Sequence, residues 1–270
     1  MWSSSAAPPV PPRPAGFIWQ PRVGATWNYV LHHPVRLDDP AIEHFDVWIV
    51  DLFDTPTSTI AALHARNRKV IAYFSAGTYE NWRPDAALFP LTSLGRPLDD
   101  WAGERWLDPT NHTIRHTIMR ARLDLAAQKG FDGVDPDNVD GWDNKNGLGL
   151  TKDHAVDYVL WIAREAHARG LAVGLKNAGA VVARVLGEMQ WAVNEQAVQF
   201  GDEDQFVPFI RAGKPVFHVE YPKGEDSESD KHNDHKQVTG RKRDKCFKAR
   251  ALGFSTIIKN VRLDQWVQTS

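Results

Sequence analysis

Short apolar segments rich in Val, Ile and aromatic residues alternate along the chain with longer segments whose apolar residues recur at helical spacing. The short segments predict eight β-strands, at residues 26–30, 47–52, 69–75, 133–137, 172–177, 191–195, 215–221 and 255–260. The longer segments predict helices at residues 57–67, 114–129, 154–169, 180–188, 203–212 and 245–252. This alternation is typical of a parallel α/β sheet built from βα units.

Eight such units in about 250 residues predict a single (β/α)8 TIM barrel, with the folded domain spanning residues 17–270. The competing doubly wound sheet usually has five or six strands, and no GxGxxG loop follows the first strand. Two segments, residues 77–110 and 222–244, are longer than ordinary connecting loops. Both follow strands, so we expect long loops on the C-terminal face of the barrel. Residues 1–16 are rich in Pro and Ser and are predicted to form a disordered leader.

Composition narrows the function further. The 270 residues carry 32 Lys and Arg against 34 Asp and Glu, so the net charge of −2 offers no general attraction to nucleic acid or to anionic membranes. A single Cys excludes intrachain disulfides and Cys-based metal sites. No apolar run reaches the roughly 18 residues of a membrane-spanning helix. The 11 Trp residues exceed the usual needs of a core, and exposed Trp faces stack on sugar rings.

Polar residues end the predicted strands, and in a barrel these ends converge on the active-site face. Two neighbouring carboxylates are what glycoside hydrolysis requires, one as an acid and one opposite it across the sugar. The predicted fourth strand supplies Asp135 and Asp137, and the sixth supplies Glu195. The remaining polar strand ends include Asp51, Tyr73, Lys176, Asn177, Glu220 and Tyr221. Together they predict a hydrogen-bonding, locally acidic pocket suited to a hydroxylated and cationic substrate.

The segment GFDGVDPDNVDGW at residues 130–142 resembles the hallmark motif of glycoside hydrolase family 114, the endo-α-1,4-polygalactosaminidases. Supporting blocks occur in family order: WNY from residue 27, VIAYFSAGTYE from residue 70, RWLD from residue 105, GLKN from residue 174 and NEQ from residue 194. The resemblance spans most of the chain. It implies a TIM barrel that cleaves α-1,4-linked galactosamine within partly deacetylated galactosaminogalactan, a microbial biofilm polysaccharide.

The resemblance also implies roles for individual residues. Asp137 becomes the nucleophile of a retaining mechanism and Glu195 the general acid/base, with Asp135 as the alternative nucleophile. The sugar-binding residues would be Asp51, Tyr73, Asp135, Lys176, Asn177 and Glu220. Alternatively, Lys176 is the cation that keeps a neighbouring acid ionised. A retaining mechanism predicts carboxyl groups about 5 to 5.5 Å apart. Apart from the resemblance, Trp82 lies in a predicted loop on the active-site face, where it either stacks on the sugar or packs within the loop.

Other functions stay open at this point. One alternative is a catalytically silent barrel that binds aminosugar polymers. Another is a hydrolase of a different α-glycoside, which the structure of the two long loops would decide. We expect no cofactor and no metal, because His112 and His116 lack the intervening Glu of a zinc protease motif. The expected partner is a polysaccharide, with no nucleic acid and no membrane. We expect a monomer that is secreted or lies at the cell surface.

Overall fold

A computed structural model describes residues 17–99 and 101–270, so the predicted leader lies outside the described residues. The strands of the described chain are, in order, β1 (Trp27–Val30), β2 (Val47–Asp51), β3 (Lys69–Ser75), β4 (Thr78–Glu80), β5 (Leu94–Pro97), β6 (Glu104–Leu107), β7 (Gly133–Asp137), β8 (Ala172–Lys176), β9 (Trp191–Glu195), β10 (Val216–Glu220) and β11 (Ser255–Ile258).

Eight of these strands form one sheet, in the order β1-β2-β3-β7-β8-β9-β10-β11, and every neighbouring pair is parallel. Side chains join the last strand to the first. Trp27 Nε1 donates to the carbonyl of Ser255 at 2.7 Å, and Lys259 Nζ donates to Asn28 Oδ1 at 2.9 Å. The sheet is therefore a nearly closed (β/α)8 barrel, which confirms the predicted fold.

Helices lie between the barrel strands. The α-helices of the described chain are α1 (Thr57–His64), α2 (Arg120–Lys129), α3 (Lys152–His167), α4 (Val182–Val185), α5 (Ala197–Phe200), α6 (Val207–Arg211) and α7 (Gly240–Cys246). A π-helix, Ile114–Met119, leads into α2. Short 3-10 turns occupy Pro40–His44, Ala86–Leu88, Leu91–Ser93, Gly141–Asp143, Gly179–Val181, Glu203–Gln205 and Phe247–Leu252.

The predicted strands are confirmed with ends shifted by two residues or fewer, whereas several predicted helices are wrong in extent. The helix predicted at residues 203–212 breaks into a 3-10 turn and α6, since Pro208 cannot continue the first turn as an α-helix. The helix predicted at residues 245–252 is a 3-10 segment, and α7 begins earlier at Gly240. The ends of short helices depend on tertiary packing, so the spacing of apolar residues alone does not predict them.

Alternation along the strands divides the core into two parts. Inward side chains such as Trp27, Ile49 and Phe217 fill the barrel, while outward ones such as Trp48 pack under the helices. Trp191 fills the barrel interior beside Gly174. A Cβ atom on Gly174 would lie 2.0 Å from Trp191 Nε1, so only glycine fits there. Trp48, Trp161 and Trp191 are all buried in the core.

Both long segments follow barrel strands. Residues 77–110 contain a small antiparallel sheet, β4-β6-β5, that the sequence did not predict. Because β4 begins three residues after β3 ends, this sheet stands at the C-terminal ends of the barrel strands. Residues 222–244 are organised by Asn233, whose side-chain amide donates to the carbonyls of Asp226, Ser227 and Ser229. Within the described residues, no helix is long and apolar enough to cross a bilayer.

Candidate active site

The last inward-facing positions of the strands bring charged and phenolic groups together at the C-terminal end of the barrel. Successive side chains of a strand point to opposite faces, so residues two apart share a face. Trp27, Trp191 and Phe217 face inward, and the same face of β1, β9 and β10 therefore leads to Tyr29, Glu195 and Tyr221. Asp135, Asp137, Lys176 and Tyr73 occupy the corresponding positions on β7, β8 and β3.

Lys176 lies at the centre of this group. Its ammonium nitrogen lies 3.2 Å from Asp137 Oδ1, 2.9 Å from Glu195 Oε2 and 3.1 Å from the hydroxyl oxygen of Tyr29. Burial alone would lower the pKa of Lys176, but Asp137 and Glu195 raise it well above the ordinary value. Lys176 is therefore a buried ammonium that bridges the two carboxylates, in line with the alternative role predicted for this residue from the sequence.

Asp137 is held by three donors. The hydroxyl of Tyr73 donates to Oδ2 at 2.8 Å, the backbone amide of Asn138 donates to Oδ1 at 2.7 Å, and Lys176 contacts the same Oδ1 atom. The side chain of Asp137 keeps 15% of its surface exposed. Donors of this kind stabilise the ionised form of a carboxylate. Asp137 is thus an oriented carboxyl group that is partly open to solvent.

Glu195 has a matching set of contacts. Tyr221 donates to Oε1 at 2.5 Å, while Asn177 Nδ2 and Lys176 contact Oε2. Asn177 also accepts the backbone amide of Glu195 at 2.9 Å, which fixes both residues. Burial raises the pKa of Glu195, but the Lys176 ammonium and the hydrogen bonds outweigh burial, so the pKa lies below its ordinary value. Glu195 is 22% exposed and is ionised as the structure stands.

Asp135 differs from both. It is fully buried, and in the described part of the chain neither of its carboxyl oxygens has a hydrogen bond of ordinary geometry. The Tyr29 hydroxyl lies close enough to lower the pKa of Asp135 slightly. Burial dominates and raises that pKa to about 7, against the opposing effect of Lys176. Asp135 therefore holds its proton up to neutral pH.

Three left-handed residues follow the three charged strand ends. Asn138, Asn177 and Gln196 have φ of 60°, 47° and 62°. Such conformations cost free energy in residues other than glycine and are concentrated at functional sites. The turn after Asp137 also depends on Gly77, where a Cβ atom would lie 1.7 Å from the carbonyl oxygen of Asn138. The chain thus bends sharply just after each charged side chain, which fixes where that side chain points.

Two predicted sugar-binding residues lie elsewhere. Asp51 accepts the backbone amides of Phe53 and Asp54 and pairs with Arg83 at 2.8 Å. Glu220 occupies an outward position on β10, where it contacts His218 at 2.8 Å and accepts the backbone amide of Val198. Neither carboxylate contacts the group around Lys176.

Trp residues of the long segment divide by exposure. Trp82 is 52% exposed and Trp101 is 49% exposed, while Trp106 is buried in the small sheet. Trp82 follows β4 and Trp101 precedes β6, so both lie at the same end of that antiparallel pair. Two exposed indole rings at this end of the sheet suit a sugar platform.

Tyr29 and Tyr221 were not among the sugar-binding residues expected from the sequence. Burial and the neighbouring acids raise the pKa of each phenol well above its ordinary value, so both remain hydrogen-bond donors. The signal was present: Tyr29 shares the face of Trp27, and Tyr221 shares the face of Val219. No group of three or more metal-ligating side chains occurs among residues 17–99 and 101–270, and the expected absence of a metal stays a prediction.

Comparison with family profiles matches residues 11–270 to glycoside-hydrolase family GH114. The chain belongs to family GH114. The family and enzyme class expected from the sequence are therefore confirmed, and the barrel is that of a glycoside hydrolase. Comparison with curated protein sequences gave no match.

Solved structures place this GH114 chain among glycosidase barrels. It is 46% identical to Aspergillus fumigatus Ega3, solved in complex with galactosamine; 93% of this chain and 97% of that one align, with a TM-score of 0.88. The glycoside hydrolase domain of PelA from Pseudomonas aeruginosa is 13% identical, with a TM-score of 0.66 over 90% of this chain and 98% of that one. An α-galactosidase from Thermus thermophilus is 13% identical, with a TM-score of 0.55 over 89% and 59%. The last two likenesses concern the fold alone.

Proposed function

We propose that this GH114 enzyme is an endo-acting hydrolase of α-1,4-linked galactosamine in partly deacetylated galactosaminogalactan. The observation that carries the proposal is the pair Asp137 and Glu195, bridged by Lys176 at the open end of a GH114 barrel. The similarity to Ega3, which was solved with galactosamine, supports the sugar. Two carboxylates and one ammonium leave a net negative site, which attracts a protonated amino sugar.

Asp137 acts as the nucleophile in this proposal. Its carboxylate is oriented by Tyr73 and Lys176 and is partly open to solvent, whereas Asp135, the alternative nucleophile, is fully buried. Asp137 attacks the anomeric carbon, and the glycosidic C–O bond breaks with its electron pair on the leaving oxygen. The product of this step is a glycosyl ester of Asp137.

Glu195 supplies and then removes a proton. In the first step it protonates the leaving oxygen, and in the second it takes a proton from the water that cleaves the ester. The form seen here, ionised and bound to Lys176, is the base of the second step. A sugar ring entering between the carboxylates separates Lys176 from Glu195, which raises the pKa of Glu195 and allows it to bind a proton.

The spacing of the pair supports retention of configuration. Because Asp137 Oδ1 and Glu195 Oε2 both contact the Lys176 nitrogen, these two oxygens lie within about 6 Å of each other, short of the roughly 6.5 to 9.5 Å that leaves room for water in inverting enzymes. We also propose that the enzyme acts as a monomer, secreted or at the cell surface, where its polymeric substrate is accessible.

The test is product analysis by mass spectrometry after incubation with partly deacetylated galactosaminogalactan. The wild type should release galactosamine oligosaccharides. Glu195→Gln should lower the rate roughly 10²- to 10⁴-fold. Asp137→Asn should lower it at least about a thousandfold. Asp143→Asn is the matched control, since Asp143 is exposed and lies six residues beyond Asp137 in the same segment.

Binding separates this proposal from its rivals. Polymer binding without any product from the wild type would contradict hydrolysis and favour a sugar-binding barrel. If the wild type neither binds nor cleaves the polymer, the proposed substrate is contradicted and another α-glycoside becomes the candidate.

A further inference from the structure

Asp135 is a buried acid that the proposed reaction does not use. It lies two residues before Asp137 on the same face of β7, and its side chain has no exposed surface. Both of its carboxyl oxygens lack a well-formed hydrogen bond within the described residues. A buried and unpaired carboxylate anion is strongly unfavourable, so this position requires either a proton or a cation.

Among the described residues, Lys176 is the one ammonium that acts on Asp135, and it is already occupied. A lysine ammonium has three N–H groups, and three oxygen atoms lie within 3.2 Å of the Lys176 nitrogen, on Asp137, Glu195 and Tyr29. Lys176 makes no ion pair with Asp135 in the described chain. Lys176 thus has no N–H group left for Asp135.

The charged and phenolic groups that act on Asp135 belong to this cluster. Tyr29 on β1 lies close to its carboxyl group, and Tyr73 on β3 is its register partner. The charged neighbours are Lys176 on β8, Asp137 on the same strand and Glu195 on β9. An ionised Asp135 would be the third anion around one cation. It would attract Lys176 away from the other two acids.

We propose that Asp135 is a positioning residue: when neutral it leaves the Lys176 ammonium on Asp137 and Glu195, and when ionised it draws Lys176 away and stops catalysis. The inference rests on the proposed function, since it assigns the alkaline limit of that reaction. It also explains why the acid is buried without a partner: a neutral carboxyl group does not compete for the cation.

The pH range follows from the environment of the acid. Burial raises the pKa of Asp135 to about 7, so the acid is neutral below that pH and ionised above it. The wild-type enzyme should therefore lose activity as the pH rises through about 7. Deprotonation of the substrate's own amine has a similar effect, but it acts equally on every variant. Removing the negative charge of Asp135 would lower the pKa of Glu195, the proposed acid, so an upward shift of the alkaline limb on one substrate isolates Asp135.

The experiment measures kcat/KM from pH 5 to pH 9 for wild type, Asp135→Asn and the Asp143→Asn control on the same galactosamine oligomer. Asparagine is a neutral near-isostere of protonated aspartate. The alkaline limb of the kcat/KM profile should shift to higher pH by at least about one unit in Asp135→Asn. In Asp143→Asn it should coincide with that of the wild type. The position of the limb is the readout, because a merely structural role would change the rate at all pH values.

Several results would overturn the inference. An alkaline limb unchanged in Asp135→Asn would do so, as would a folded Asp135→Asn protein that is inactive at every pH. If Asp135→Asn fails to fold, Asp135→Ser takes its place, since it is also neutral and is smaller. Carbon-13 NMR of the wild-type carboxyl groups gives a further check: no aspartate carboxyl titrating near pH 7 contradicts the inference. A wild type without activity at any pH contradicts the proposed function instead.

Discussion

Two polar clusters lie on opposite faces of the barrel strands, one at the C-terminal strand ends and the other along β10 and β11. The inner cluster comprises Asp135, Asp137, Lys176 and Glu195, with the phenols of Tyr29, Tyr73 and Tyr221. The outer cluster comprises His218, Glu220 and Thr256. Both are built from strand residues, and sequence position alone does not separate them.

The clusters differ in how completely their groups are satisfied. In the outer cluster, His218 contacts Glu220 at 2.8 Å and Thr256 at 3.0 Å, and Glu220 also accepts the amide of Val198. All three side chains are buried. The inner cluster holds three acids around one ammonium, and two of those acids are open to solvent. A closed and satisfied cluster stabilises the fold, whereas an open cluster with excess acid has room and charge for a cationic ligand.

Among the tests of this comparison, the largest expected effect comes from removing the cation of the inner cluster. Lys176→Met should lower kcat/KM by about a hundredfold, because Asp137 and Glu195 then repel each other without a shared ammonium. The pKa of Glu195 should also rise, which moves the alkaline limb of the pH profile upward, because Glu195 must hold a proton in the first step. Kinetic assays across the pH range measure both. Lys145→Met, at an exposed lysine, is the control, and equal losses in the two variants would contradict the comparison.

The second effect is a pH-dependent change in stability. The folded-state pKa of Asp135 is raised from an ordinary 3.8 to about 7, so the folded chain keeps a proton that the unfolded chain releases in that range. This contribution to stability is present at low pH and is lost as the pH rises to about 7. Asparagine does not titrate, so Asp135→Asn lacks this pH-dependent loss of stability. The melting temperature of the variant minus that of the wild type should therefore increase from pH 4 to pH 8. Melting curves that shift in parallel would contradict the raised pKa.

A substitution in the outer cluster should lower the stability of the fold without lowering the catalytic rate. Glu220→Gln weakens the contacts to His218 and Val198, and we expect a loss of about 1 to 2 kcal/mol, or roughly 2 to 8 °C in melting temperature. Because Glu220 faces away from the inner cluster, kcat/KM should stay within about threefold of wild type. Calorimetry and kinetics measure the two quantities. A large loss of activity at unchanged stability would return Glu220 to the sugar-binding role predicted from the sequence.

The smallest effect concerns the exposed indole of Trp82. Trp82→Ala should raise KM for long polymers about two- to tenfold through loss of stacking, with little change for short oligomers. Leu91→Ala is a suitable control, since Leu91 is an exposed apolar residue of the same long segment. If short and long substrates respond alike, Trp82 is not a platform for the polymer.

The sequence predicted most of the barrel and the centre of the inner cluster. Strands that are apolar on both faces are recognisable from composition, and the motif around Asp137 is long and specific. Helix ends were less predictable because short helices depend on tertiary packing. The small sheet formed by β4, β5 and β6 was missed because its strands are short and partly polar.

The predicted sugar-binding residues Glu220 and Asp51 make other contacts for two different reasons. The predicted seventh strand ends at Glu220 and Tyr221, and alternation from Val219 places Tyr221, not Glu220, on the inner face. Asp51 ends its strand on the inner face, but Arg83, three residues after β4 in the long segment, pairs with it. A partner contributed by a long loop cannot be inferred from the strand itself.

The central claim is that Asp137 and Glu195 act as nucleophile and acid/base, and trapping tests it directly. Glu195→Gln is incubated with an α-configured galactosamine oligosaccharyl fluoride, whose leaving group needs no acid, and the digested protein is mapped by mass spectrometry. Because the variant lacks the base that activates water, the glycosyl ester should accumulate on the peptide that contains Asp137, and fragmentation should place it on that residue. An adduct on Asp135, or inverted product without an adduct, would contradict the account.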